Sequence, residues 1–227
     1  MLKINVVTAA KGNFGNMRNT SAIKYIVIHY TANDGDTATA NANYFKSRIV
    51  EASAHYFVDD KSIFQSVPDN FVAWSVGGNK YPSCATTGGG KWYGKCTNNN
   101  SISIELCDVV RNGKSDFTET TMANAAELVR SLMKKYNVPI ENVIRHFDVV
   151  GKICPKPFVE DEKAWKNFKE RLDDEMVEKG KIIIDGKEQE VDMIRKDGAT
   201  YIKTRDIAAV LDLKVGNKGS VPTLERK

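Results

Sequence analysis

The sequence predicts an α/β fold: a mixed central β-sheet flanked by helices, followed by a small C-terminal α+β module. Three observations carry this reading. Ile23 to Tyr30 is nearly continuously apolar and β-branched, His55 to Trp74 alternates short strand patterns with turn residues, and two later stretches repeat apolar residues at helical spacing. The chain has 227 residues, 41% hydrophobic and 27% charged, so it can bury a sizeable core and is not expected to be disordered. No apolar run reaches membrane-spanning length.

The run Ile23–Tyr30 reads as a central strand buried on both faces. After the polar cluster Thr31–Asp36, the alanines, Tyr44 and Phe45 recur at helical spacing up to Ile49, with Thr37 as N-cap. His55–Val58 and Ser62–Val67 flank Asp59-Asp60-Lys61 as a hairpin, and Pro68-Asp69-Asn70 turns the chain toward Val72-Ala73-Trp74. Residues 77–100 hold six glycines with Trp92, Tyr93 and three consecutive asparagines, a long loop of the kind that is functional or mobile. Ser101 to Leu106 alternates polar and apolar, predicting a strand with Glu105 on the face turned from the core. Asp116-x-x-Glu119 resembles a capping box ahead of Met122, Ala126, Val129, Met133 and Tyr136, and Asn137 with Pro139 ends that helix.

Val143–His146 is a short apolar segment leading into a loop, Phe147–Phe158. A last helix is expected from about Glu160 to Glu178, with Trp165, Phe168, Leu172 and Met176 on one face and Gly180 as its stop. The pattern then restarts. Asp185-Gly186 signals a hairpin between Ile182–Ile184 and Gln189–Met193, and Lys196-Asp197-Gly198 turns into Thr200–Lys203. Thr204 is placed to cap a helix from Arg205 to Leu211, ahead of Leu213-Lys214-Val215. The expected organisation is a catalytic domain over residues 1–178 and a small ββαβ-like module over 181–227.

Lys plus Arg number 33 against 29 Asp plus Glu, a net +4, and residues 181–227 carry 10 basic and 8 acidic side chains. That even spread provides no basic tail for nucleic acid or anionic lipid, so neither is an expected partner. The N-terminus, Met1 to Gly15, shows no signal-peptide pattern. Four cysteines are too few to build the fold from disulfides. Cys84 and Cys96 bracket the glycine-rich loop as a disulfide or as free thiols.

Only three histidines are present. His29 ends the buried strand, where α/β sheets present functional side chains, although a hydrogen-bonded strand-end histidine is the plainer reading. His146 and Cys154 suit zinc, but only if a chain bend, permitted by Gly151 and stiffened by Pro155, brings them together. Lys152 and Cys154 are two apart, so in an extended stretch they point the same way. Taken alone, Cys154 is equally a small buried apolar residue, and Lys152 a solvated charge. Glu105 is either an exposed strand carboxylate or a general base for amide hydrolysis.

Five segments, in order, resemble the zinc-dependent N-acetylmuramoyl-L-alanine amidases, the family of phage-lysozyme-type amidases and peptidoglycan recognition proteins. They are Ile26–Thr31, Ser53–Val58, Val67–Asn70 with Ala73-Trp74, Asn100–Glu105, and Arg145–Asp148 through Lys152–Pro155. Clostridial and bacillus phage endolysins are the nearest likeness. The resemblance implies that His29, His146 and Cys154 ligate zinc with water in the fourth position. It also implies that Glu105 handles protons and that Lys152 steadies the reacting carbonyl oxygen. Some relatives place a catalytic Tyr where this chain has Ala54, which strengthens Glu105 as the candidate. Many carry a His where this chain has Ser75. His55, Trp74, Trp92 and Tyr93 are candidate contacts to a sugar or peptide; His55 and Trp74 have strand or core packing as their alternative. The implied substrate is bacterial peptidoglycan, cut between the muramic lactyl group and L-alanine by a protein made in the cytoplasm and released to the wall, for example through a holin. A non-cutting peptidoglycan-binding module, a cysteine hydrolase built on Cys154 and His146, and a closed structural zinc site recruiting His55 or another Cys are the rival classes. The C-terminal module faintly resembles secreted stalk repeats, which favours wall targeting over dimerisation. Oligomeric state is left open.

Overall fold

The computed structural model describes residues 2–173, 178–196, 199–219 and 221–226. The chain divides into two units, residues 1–173 and 174–227. The first runs β1 (Ile4–Val6), β2 (Phe14–Met17), β3 (Tyr25–Tyr30), α1 (Ala38–Ser47), β4 (Tyr56–Val58), β5 (Ile63–Gln65), β6 (Phe71–Ala73), α2 (Cys84–Thr87) and β7 (Ser101–Leu106). It continues with β8 (Val109–Arg111), β9 (Lys114–Asp116), α3 (Glu119–Tyr136), β10 (Val143–Arg145), α4 (His146–Val150), α5 (Lys156–Glu160) and α6 (Glu162–Asp173). Six strands form one sheet in the order β1-β5-β4-β7-β3-β10. Every neighbouring pair is parallel except β4 with β5, so the sheet is mixed, as predicted.

Strand β3 lies inside this sheet between β7 and β10, which is why its sequence is apolar on both faces. Ile26 and Ile28 pack with Ile102, Ile104 and Leu106 of β7 against Leu128, Val129 and Leu132 of α3 and Phe168 of α6. Tyr25 and Val27 point the other way, into a smaller cluster with Val76, Cys96, Val149 and Val150. His29 shares that second face by strand alternation.

Several predicted boundaries shift. β1 and β2 are not among the predicted elements; each is only three or four residues long, with polar residues interrupting the apolar ones. The polar face of β7 does not meet solvent: Ser101 and Ser103 are buried. Helix α3 is capped by Thr118, whose side chain accepts from the Thr121 N–H, because Asp116 belongs to the β8–β9 hairpin. The predicted loop 147–158 contains α4 and α5. The predicted final helix begins as a separate one, α6, whose first turn is held by the Asp161 carboxylate accepting from Lys163 and Ala164 N–H. Its predicted end, including Met176, lies outside the described residues.

The second unit contains β11 (Glu178–Ile184), β12 (Lys187–Lys196), β13 (Ala199–Ile202), α7 (Thr204–Val210), β14 (Leu213–Lys218) and β15 (Val221–Arg226). β11, β12 and β13 make an antiparallel sheet, and β14 pairs with β15. Asp185 and Gly186 both have positive φ, 50° and 77°, as the predicted tight hairpin requires. Gly180 does not stop a helix; it sits in β11 opposite Val191. Thr204 opens α7 rather than capping it, with no side-chain cap bond from Lys203. The Asp197-Gly198 turn lies outside the described residues. No helix among the described residues is long and apolar enough to cross a membrane.

Candidate metal centre

His29, Glu105 and His146 all stand at the carboxyl edge of the parallel strands, on β3, β7 and just after β10. Parallel α/β sheets expose their side chains to ligands at this edge. His29 and Glu105 are register partners, which sets their side chains on the same face. His146 opens α4, and the chain then reverses at Gly151, in the left-handed region at φ 87°, to bring Cys154 back. The donor atoms of His29, His146 and Cys154 lie within 4.8 Å of one another, and all three residues are buried. Cys154 Sγ is 3.8 Å from His29 Nδ1. The two imidazoles are 4.6 Å apart between centroids. Glu105 Oε1 is 3.9 Å from His29 Nδ1, and its side chain is 20% exposed to the cleft.

The electrostatics of the donor set suit a cation. Burial, with the neighbouring His146 and the Lys152 charge, holds His29 well below the usual imidazole range. Burial and Lys152 bring His146 down to about 4. Both rings are therefore neutral, the form that ligates. Burial and the adjacent Glu105 push the Cys154 thiol up to about 12. Burial pushes Glu105 up to about 8, opposed by Lys152 and reinforced by Asp36 and Asp108.

The chemistry of the donors fits zinc. His29 Nε2, both His146 ring nitrogens and Glu105 Oε2 are buried without a hydrogen-bond partner. Each such orphan costs about 1–3 kcal/mol, and a cation held by one nitrogen from each ring would relieve part of that cost. Zinc–nitrogen and zinc–sulfur bonds of about 2.0 and 2.3 Å in a tetrahedron put ligand atoms roughly 3.3–3.6 Å apart, close to the observed sulfur–imidazole separation. A cation there also removes the thiol proton.

The donors line a cleft of about 320 Å³, together with Glu105, Lys152 and Trp74. Lys152 is exposed at its rim and makes no ion pair among the described residues. Trp92 is not part of this wall: it packs edge-on against Tyr25 at 5.4 Å. Tyr93, 44% exposed, lines a separate hollow with Val76 and Asn98.

His55 does not line this cleft. It is fully buried and outside the cleft, where its Nδ1 accepts from the Ser103 N–H at 3.0 Å and its Nε2 faces the Phe71 carbonyl at 3.2 Å. The four cysteines, Cys84 and Cys96 among them, are free and buried.

Two features escaped the sequence reading. Arg145 is buried and donates to both Asp148 oxygens, to the Phe158 carbonyl and to Glu162, tying the β10–α4 corner that carries His146 to α5 and α6. Its signal was the Arg-x-x-Asp spacing inside the quoted motif. Thr31 donates to Asp36 and Asp108, and Asn41 to Asp36, forming an acidic wall near Glu105. Such a wall has no local sequence signature.

Fold and site together define an α/β protein with an open three-donor metal-type centre and a carboxylate beside it. Residues 19–157 match the family described as N-acetylmuramoyl-L-alanine amidase, and the chain belongs to that family. It is 35% identical over 158 residues to N-acetylmuramoyl-L-alanine amidase CwlL of Bacillus licheniformis, covering 67% of this chain and 41% of that protein. Identity to N-acetylmuramoyl-L-alanine amidase XlyA of Bacillus subtilis strain 168 is 35% over 147 residues, 64% of this chain and 42% of that one. The chain thus spans well under two thirds of these relatives. Among solved structures, a mutant endolysin from Bacillus subtilis aligns with TM-score 0.58 and 32% identity, covering 76% of this chain and 99% of that one.

Proposed function

We propose that this protein is a zinc-dependent peptidoglycan amidase that hydrolyses the bond between the lactyl group of N-acetylmuramic acid and L-alanine of the stem peptide. The observation that carries this reading is the convergence of His29, His146 and Cys154 beside Glu105 in an open cleft. His29, His146 and Cys154 would hold the metal. Bound there, zinc supplies Lewis acidity that acidifies water and polarises the scissile carbonyl.

Glu105, with one oxygen unpartnered and its side chain open to the cleft, takes the proton of the attacking water. It then returns a proton to the departing alanine amine. The Lys152 ammonium, which makes no ion pair among the described residues, holds the negative charge that develops on the carbonyl oxygen. Ser75, in the position where many relatives carry a His, lines the cleft with its hydroxyl against Ser103.

A cysteine hydrolase is disfavoured by a thiol that burial pushes up to about 12, since the thiolate is the nucleophile. A purely binding role is disfavoured by the complete set of donors, base and cation. A closed structural site would need a fourth protein ligand, and His55 points elsewhere. The catalytic part corresponds to residues 1–178, and the module at 181–227 targets the wall. The enzyme reaches its substrate after release from the cytoplasm.

Digesting purified wall tests this. New alanine amino termini without new reducing sugars are expected; new reducing ends would identify a glycosidase instead. A chelator should silence the reaction and a low dose of alkylating agent should not.

A further inference from the structure

We infer that the cavity beside the metal centre is a carboxylate-binding subsite for the stem peptide, with Lys80 as its cation. The inference rests on the amidase reading and names which arm of the substrate lies where. The cavity is about 520 Å³ and shares Ser75, His146 and Lys152 with the cleft that holds the metal donors. Its other wall is the glycine-rich segment, which is not a free loop. Tyr81 N–H donates to the Val150 carbonyl at 2.8 Å, Gly90 N–H to Phe147 at 3.0 Å and Trp92 N–H to Asp148 at 2.8 Å. These bonds lay the segment along α4, the helix that begins at His146. Cys84 packs so closely on Gly151 that a β-carbon there would come within 2.2 Å of its sulfur.

Lys80 is placed by the same packing. Its stem crosses Gly90, where an added β-carbon would fall 2.6 Å from Lys80 Cε and 3.3 Å from Cγ. Lys80 makes no ion pair among the described residues, and none of the residues lining the cavity is acidic. Two lysines, Lys80 and Lys152, therefore line one hollow whose own wall carries no acidic side chain, an arrangement that attracts an anion. Lys152 serves the scissile carbonyl. Lys80 is left for a second acceptor further along the substrate. In a muramoyl peptide the lactyl carboxyl is consumed by the scissile amide, so negative charge resides on the peptide arm and not on the neutral sugars. That assigns the stem peptide to this cavity, with the carboxylate of its second residue against Lys80.

The test compares kcat/KM on two muramoyl-L-alanyl peptides, one with a free carboxylate on the second residue (D-isoglutamate) and one with it amidated (D-isoglutamine). The wild type is expected to favour the free acid about tenfold at low salt, as a charge-assisted contact at a half-open site allows. The preference should shrink toward parity in molar salt. Lys80→Met should remove it and Lys80→Arg should keep it. Equal rates in the wild type, or a preference that survives in Lys80→Met, overturn the subsite while leaving the amidase reading intact. Cleavage of neither peptide nor wall overturns the amidase reading itself, and the subsite with it.

Discussion

His55 accepts the Ser103 N–H through Nδ1, and its Nε2 lies 3.0 Å from the Arg18 guanidinium and 3.2 Å from the Phe71 carbonyl. Charging the ring would set an N–H against the Ser103 N–H in a site that water does not reach. Burial and the Arg18 guanidinium accordingly lower its pKa to about 3. The unfolded chain binds this proton below about pH 6.5 and the folded chain does not, so stability falls as pH drops from about 6.5 toward 3. The full loss from this residue is on the order of 5 kcal/mol. Urea unfolding across that window should show a shallower decline for His55→Asn than for the wild type, even though the variant starts less stable at pH 7. At the centre itself, Glu105→Gln should lose turnover while keeping bound metal, and normal lysis by it would remove the general-base role. Lys152→Ala should lower kcat on the order of 10²-fold; an unchanged kcat would return it to the solvated surface. The three donors were legible only as an ordered set of weak motifs. His29 alone reads as a strand-end histidine, and nothing near Cys154 says that a sulfur 125 residues away in sequence will meet it.

Elements supply the geometry that single residues cannot. The turn after α4 works because Gly151 tolerates φ 87° and leaves room for Cys84. Gly151→Ala adds both a left-handed penalty and a clash, and should destabilise the fold by roughly 1–3 kcal/mol. Calorimetry should show a lower Tm, partly recovered in Gly151→Ala/Cys84→Ala, where the clash is relieved and the strain stays. A double variant no better than the single would show that the sulfur contact is not the cause. β3, α1 and the β4–β5 hairpin were readable because periodicity and turn chemistry agree there. β1 and β2 were not, since strands this short draw their stability from neighbours far along the chain. The glycine-rich segment read as a loop because backbone bonds to α4 carry no side-chain signal.

At the scale of the whole molecule, the sheet's carboxyl edge gathers the donor side chains from β3 and the β10–α4–α5 corner, and the Glu105 carboxylate from β7. The chain's second unit has its own strands and a few buried residues, Val191, Met193 and Ala208. A chain ending at residue 173 should still cleave a small muramoyl peptide but bind wall more weakly in sedimentation; undiminished binding would remove the targeting role. The restart after the first unit was visible as a change of pattern, whereas β15 and the packing around α7 were not. The most direct test of the account is the metal content of the purified chain, wild type against His146→Ala and Cys154→Ser. About one zinc per wild-type chain, and loss of nearly all of it in both variants with the circular dichroism spectrum retained, is the expected result. An active wild type without stoichiometric metal, or variants that keep it, would contradict the account.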